Sequence, residues 1–161
     1  IISMGPLFSW MWVKLSGSKF NPSGPVKLSF GLFMLGVGFV ALVIGASSIP
    51  QGAKSASVGM IWLVLAYFFH TVGELFLSPV GLSFVQKLSP ARLVALMFGV
   101  WYLANFVANL AGGIIGSYID KISEATSMSS FFMIFVVSSF AAALLLFLLN
   151  KPIKRLMHGV T

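Results

Sequence analysis

Residues 58–88 read VGMIWLVLAYFFHTVGELFLSPVGLSFVQKL, and this stretch decides the fold. It is apolar over most of its length, and its one acidic residue, Glu74, stands about halfway along. A bilayer's hydrocarbon core is about 30 Å thick and is crossed by about 20 apolar residues in a helix. At roughly 1.5 Å per residue this segment reaches about 45 Å. The sequence therefore predicts a membrane helix that tilts, kinks or protrudes.

The rest of the chain agrees. Of 161 residues, 58% are hydrophobic and 8% charged, with a mean hydropathy of +1.02. Ordinary soluble domains carry about 25% charged residues, so a soluble fold is excluded, as is a disordered one. There is no Cys, hence no disulfide framework and no thiolate chemistry. Further apolar runs cover 28–49, ended by Pro50, then 93–118 and 128–150, stopped by Lys151-Pro152. Between them lie Asn21-Pro22-Ser23-Gly24-Pro25, Pro50-Gln51-Gly52 and Ser89-Pro90, all with loop chemistry. Residues 1–14 are apolar up to Trp10, Trp12 and Lys14, with no basic residues ahead of the apolar run as a signal peptide would have. They read as the end of a spanning helix, and the chain as a piece of a longer protein. The expectation is an all-α membrane protein: a helix end (1–14), a cytoplasmic loop (15–27) and four spans with a cytoplasmic C-terminus.

Charge sets the orientation. The net charge is +7, in short clusters between the apolar runs. With the 15–27 loop inside, Lys14, Lys19, Lys27, Lys87, Arg92, Lys151, Lys154 and Arg155 are cytoplasmic, leaving Lys54 and Lys121 outside. The opposite topology inverts that split and violates the positive-inside rule. Clusters of this kind follow membrane topology and give no reason to expect nucleic acid as a partner.

Glu74 is the only acidic residue inside any span. A charge there is costly and usually faces a cavity or a partner. Tyr67, His70, Thr71 and Ser78 stand seven, four and three residues before it and four after, spacings that gather them on one helical side. Pro79 cannot donate to the carbonyl of Leu75, so the helix is expected to bend there, with Gly81 adding slack. Broken or bent helices near the midplane recur in transporter binding sites. Two readings stand for Glu74: a structural ion pair or packed neutral carboxyl, and a ligand-binding carboxylate. His70 likewise reads as a packing residue or as a group that titrates near neutral pH beside the acid.

In the next span Trp101, Asn105, Asn109, Gly112 and Gly116 recur every three or four residues. The glycines form a small-xxx-small pair suited to close helix approach, Trp101 reads as core filler or pocket wall, and the amides as interhelical glue. No metal, nucleotide or cofactor motif is present in the sequence. Ser78, His70 and Glu74 on one helix do not converge as a hydrolytic triad, so no enzyme is expected.

The run His70-Thr71-Val72-Gly73-Glu74-Leu75-Phe76-Leu77-Ser78-Pro79-Val80-Gly81-Leu82-Ser83, with Lys87-Leu88-Ser89-Pro90-Ala91-Arg92 after it, resembles the tenth-helix signature of proton-dependent oligopeptide transporters. These form the POT/PTR branch of the major facilitator superfamily. Met97-Phe98-Gly99-Val100-Trp101-Tyr102-Leu103 and Asn109-Leu110-Ala111-Gly112 are similar to the eleventh helix, and Pro6-Leu7-Phe8-Ser9-Trp10-Met11-Trp12 to the end of the eighth. The resemblance implies the C-terminal portion of a major-facilitator-type helical bundle, from the end of helix 8 through helix 12, in the cell (inner) membrane. It implies import of di- and tripeptides with protons by alternating access, in concert with the N-terminal helices of the same transporter. Glu74 would meet the peptide's ammonium and Trp101 line a side-chain pocket, with Tyr67, His70, Ser78 and Asn105 around them and Pro79 and Gly81 in the gate. The first-helix E-x-x-E-R proton-coupling motif lies outside these residues. A family member carrying nitrate or another small solute, and a structural or proton-conducting subunit of a membrane complex, stand as alternatives.

Overall fold

A computed structural model describes residues 4–16, 22–50 and 57–157, and every element among them is a helix. They run α1 (Gly5–Ser16), α2 (Gly24–Ala46), α3 (Met60–Leu88), α4 (Val94–Ser117), α5 (Ile119–Ala125), α6 (Met128–Leu148) and α7 (Asn150–Leu156). Four of these, α2, α3, α4 and α6, are long and apolar enough to cross a membrane.

The ends of the spans differ from the expected bounds by a few residues, and for local reasons. α2 starts at Gly24 rather than at Leu28, because Pro25 suits the first turn, where no backbone N–H is needed. Ser127 caps α6, its hydroxyl accepting from Ser130 N at 3.1 Å. α6 ends at Leu148, just before Lys151-Pro152, and these two residues lie in the first turn of the short α7, a position where proline is tolerated. α5, with Asp120 in its first turn, is a short helix between the spans α4 and α6. The expected positions of Lys19, Lys54 and residues 1–3 lie outside the described residues.

α2 is the central element, packed by α3 on one side and α6 on the other. Its buried residues are nearly all small: Pro25, Ser29, Gly31, Gly36, Gly38, Ala41, Gly45 and Ala46. Lipid offers helices no hydrophobic reason to associate, so close van der Waals contact across small residues holds them together. The contact is tight enough to be read atom by atom. A Cβ at Gly73 would stand 2.8 Å from the carbonyl oxygen of Gly31, and one at Gly45 2.8 Å from Trp62 Cβ. Toward α6, Gly36 receives the ring of Phe140, and the buried Ser29 hydroxyl donates to the Ala143 carbonyl at 2.7 Å.

α1 joins through aromatic rings. Phe76 of α3 meets Phe8 and Trp12 of α1 and Phe30 of α2, with centroids 5.5, 5.1 and 5.0 Å away. α4 buries no residue among those described. Gly112 and Gly116, expected as a close-approach pair, have nothing within 4 Å among the described residues. The glycine seam of this bundle lies on α2.

Candidate functional site

α3 carries the polar residues on one flank. Its contacts with α2 come chiefly from Trp62, Ala66, His70, Gly73, Leu77 and Phe84, with Phe76 beside them, and the six are three, four or seven residues apart, which marks one side of the helix. Glu74 lies just beyond that side and is exposed. The Ser78 hydroxyl, one turn on, donates to Glu74 Oε1. A hydroxyl in that position orients the carboxylate. Tyr67, two turns before, is 66% exposed on the same flank. The i, i+4 spacing of Glu74 and Ser78 is thus realised as a direct contact.

His70 faces α2 rather than Glu74, in keeping with the packing reading. Its ring packs into α2, directly over Gly38 and 4.6 Å from the ring centroid of Phe39, and its Nε2 is buried. The reason is angular: four residues along an α-helix turn about 40°, enough to carry a side chain from the seam to the flank. His70 falls on the seam side of that boundary and Glu74 on the open side.

α3 continues as helix through Pro79 to Leu88. Pro79 cannot donate to the Leu75 carbonyl, which removes one backbone bond in the turn holding Glu74. Gly81, expected to add slack, also seats a ring from the neighbouring helix. The Trp101 indole of α4 lies against it, and a Cβ at Gly81 would come within 2.8 Å of Trp101 Cζ2. This contact joins α4 to α3 and places an aromatic face two turns from Glu74. Asn105 and Asn109 each donate through Nδ2 to a carbonyl of their own helix, Trp101 O and Asn105 O, both at 2.8 Å. Those bonds tie the amides to α4 itself, whereas the sequence reading had them binding neighbouring helices.

Sequence reasoning also missed the seats that fix two of these side chains, Gly38 under His70 and Gly81 under Trp101. The signal for the second was present, since Gly81 stands seven residues after Glu74 and shares its side of the helix. No group of three or more His, Asp or Glu able to hold a metal occurs among the described residues. What the site offers is one carboxylate held by a hydroxyl on an apolar helix, with an aromatic wall about 10 Å further along. That suits binding of a small amphipathic cation.

Residues 1–132 match the family model described as PTR2, the POT family. The chain is 34% identical over 159 residues to the peptide transporter YePEPT of Yersinia enterocolitica, covering 99% of this chain and 31% of that protein. It is 31% identical over 161 residues to a di-/tripeptide transporter of Lactococcus lactis, covering 99% of this chain and 30% of that one. Among solved structures, a crystal structure of a mutant peptide transporter POT in complex with alafosfalin superposes with a TM-score of 0.81 at 34% identity, over 99% of this chain and 31% of the other. The chain thus spans about a third of the length of the curated relatives it matches.

Proposed function

Because this chain belongs to the POT family, we propose that it serves a secondary transporter importing di- and tripeptides together with protons by alternating access. It sits in the cell membrane as a multi-pass segment with its C-terminus in the cytoplasm, the orientation favoured by the basic residues. The observation that carries the reading is Glu74: an exposed carboxylate halfway along an apolar helix, held by Ser78.

Glu74 receives the peptide's N-terminal ammonium. Opposite charges 4 Å apart attract by about 4 kcal/mol at the intermediate dielectric of a protein surface, against about 1 kcal/mol in water. Ser78 holds the carboxylate in place for that contact. The seven residues from Glu74 to Gly81 cover about 10 Å of helix, close to the length of an extended tripeptide backbone at roughly 3.4 Å per residue. A peptide anchored at Glu74 therefore brings its later side chains to Trp101. That indole accepts varied side chains through contact area and cation–π attraction. Tyr67 and Asn105 border the same space. His70 acts as a positioning residue, seating α3 on α2 one turn from the carboxylate. The half of α3 beyond Pro79 moves with the inner gate, the missing backbone bond easing the change.

Uptake of a labelled dipeptide into proteoliposomes bearing the full-length transporter tests this. Accumulation driven by an inward proton gradient is the expected result. Gradient-independent uptake, or transport of nitrate with no response to dipeptide, contradicts it.

A further inference from the structure

Three lysines from three separate helices converge at one end of the bundle. Lys27 lies at the start of α2, Lys87 at the end of α3 and Lys154 in α7. All three line one cavity of about 660 Å³, together with Ser23, Ser83 and Trp12. The Ser23 hydroxyl donates to Asn150 Oδ1 at 2.8 Å, tying the start of α2 to the start of α7 and so fixing Lys27 and Lys154 across one opening. Lys27 leans over the Trp12 ring at 4.3 Å, and Lys87 is close enough for its charge to oppose that of Lys27. Three ammonium groups gathered along one partly apolar hollow set up a positive potential that favours an anion there.

An apolar groove opens off the same wall. Trp12, Pro22 and Lys27 line both spaces, and Leu15, Phe30 and Phe76 continue the second one between α1 and α2. A molecule holding a phosphate among the lysines can lay hydrocarbon along those rings without a break. A free inorganic anion makes no use of the groove. Basic hollows between spans, on the side of the membrane that collects Lys and Arg, are matched to anionic headgroups.

We propose that the lysine cavity and its groove together bind one anionic phospholipid of the cytoplasmic leaflet. Its phosphodiester lies among Lys27, Lys87 and Lys154, and an acyl chain lies against Phe30 and Phe76. The site uses none of Glu74, Ser78 or Trp101, so it stands or falls separately from the peptide reading.

Native mass spectrometry of the full-length transporter, titrated with phosphatidylglycerol, provides the test, with thermal unfolding followed in parallel. One phosphatidylglycerol is expected to be retained and to raise the melting temperature. Phosphatidylcholine with the same chains is expected to do neither. The double substitution Lys27→Gln with Lys154→Gln should weaken phosphatidylglycerol roughly 30-fold, each charge near the headgroup contributing about fivefold. Lys27→Arg with Lys154→Arg should keep the binding, which separates charge from folding. Equal retention of phosphatidylcholine by the unmodified protein overturns the proposal. So does equal stabilisation by inorganic phosphate alone, which marks a free-anion site. Loss of binding in the arginine variant overturns it too, by assigning the lysines a packing role.

Discussion

Replacing Gly38 by Ala isolates what His70 does. The new Cβ would stand 2.7 Å from His70 Nε2 and 3.1 Å from the Ala66 carbonyl oxygen, where ordinary contact begins near 3.4 Å. Overpacking of this kind costs about 1–3 kcal/mol. Alanine's better helix propensity returns up to about 1 kcal/mol, leaving a net loss of up to about 2 kcal/mol. The imidazole is the closer of the two obstacles, so Gly38→Ala combined with His70→Ala should recover most of that loss. Directly packed pairs couple by about 0.5–3 kcal/mol in a double-mutant cycle. The assay is thermal unfolding of the four purified full-length proteins in one detergent. The expected outcome is a lowered melting temperature for Gly38→Ala and a double variant more stable than the two single effects predict. Strict additivity would place the imidazole off Gly38 and return it to the side of Glu74, refuting the packing assignment.

Three shorter predictions follow from the same geometry. Gly81→Ala drives a Cβ into the Trp101 indole; the KM for peptides with a bulky side chain should rise several-fold while that for dialanine changes little, and equal changes would remove Trp101 from side-chain selection. Pro79→Ala restores a backbone donor to the Leu75 carbonyl and should slow turnover more than it weakens equilibrium peptide binding, whereas unchanged turnover leaves Pro79 a packing role. In the full-length transporter with any cysteines outside these residues replaced, Arg155→Cys should react with impermeant maleimide only from the cytoplasmic side, and labelling from outside would invert the topology.

The spans were readable because the bilayer imposes its own length on an apolar run, a constraint that acts on each helix alone. The contact between Glu74 and Ser78 was readable for the same kind of reason, since both stand on one helix and spacing fixes their approach. Features that depend on two helices were harder. The α2 run is visibly glycine-rich, yet nothing local says that Gly38 takes an imidazole while Gly36 takes a phenyl ring. Proximity of His70 to Glu74 in sequence suggested a shared polar side, but a boundary between packed and open surface falls between them. The small-residue pair in α4 has no neighbour among the described residues, whereas the tight contact seen here is on α2, where Gly24, Gly31, Gly38 and Gly45 recur every seven residues against α3. The lysine cavity was legible only as a charge count, because its members come from three segments that meet in space.

Substituting Glu74 by Gln tests the central claim most directly. Removing one member of a charge pair in such a setting costs about 2 kcal/mol or more, so Glu74→Gln in the full-length transporter should weaken binding of a free dipeptide roughly 30-fold. Binding of the same peptide with an acetylated N-terminus should change far less, because that ligand has no ammonium to lose. Equal losses for the free and acetylated peptides, with a matching drop in melting temperature, would make Glu74 a structural carboxylate and contradict its role as the peptide anchor.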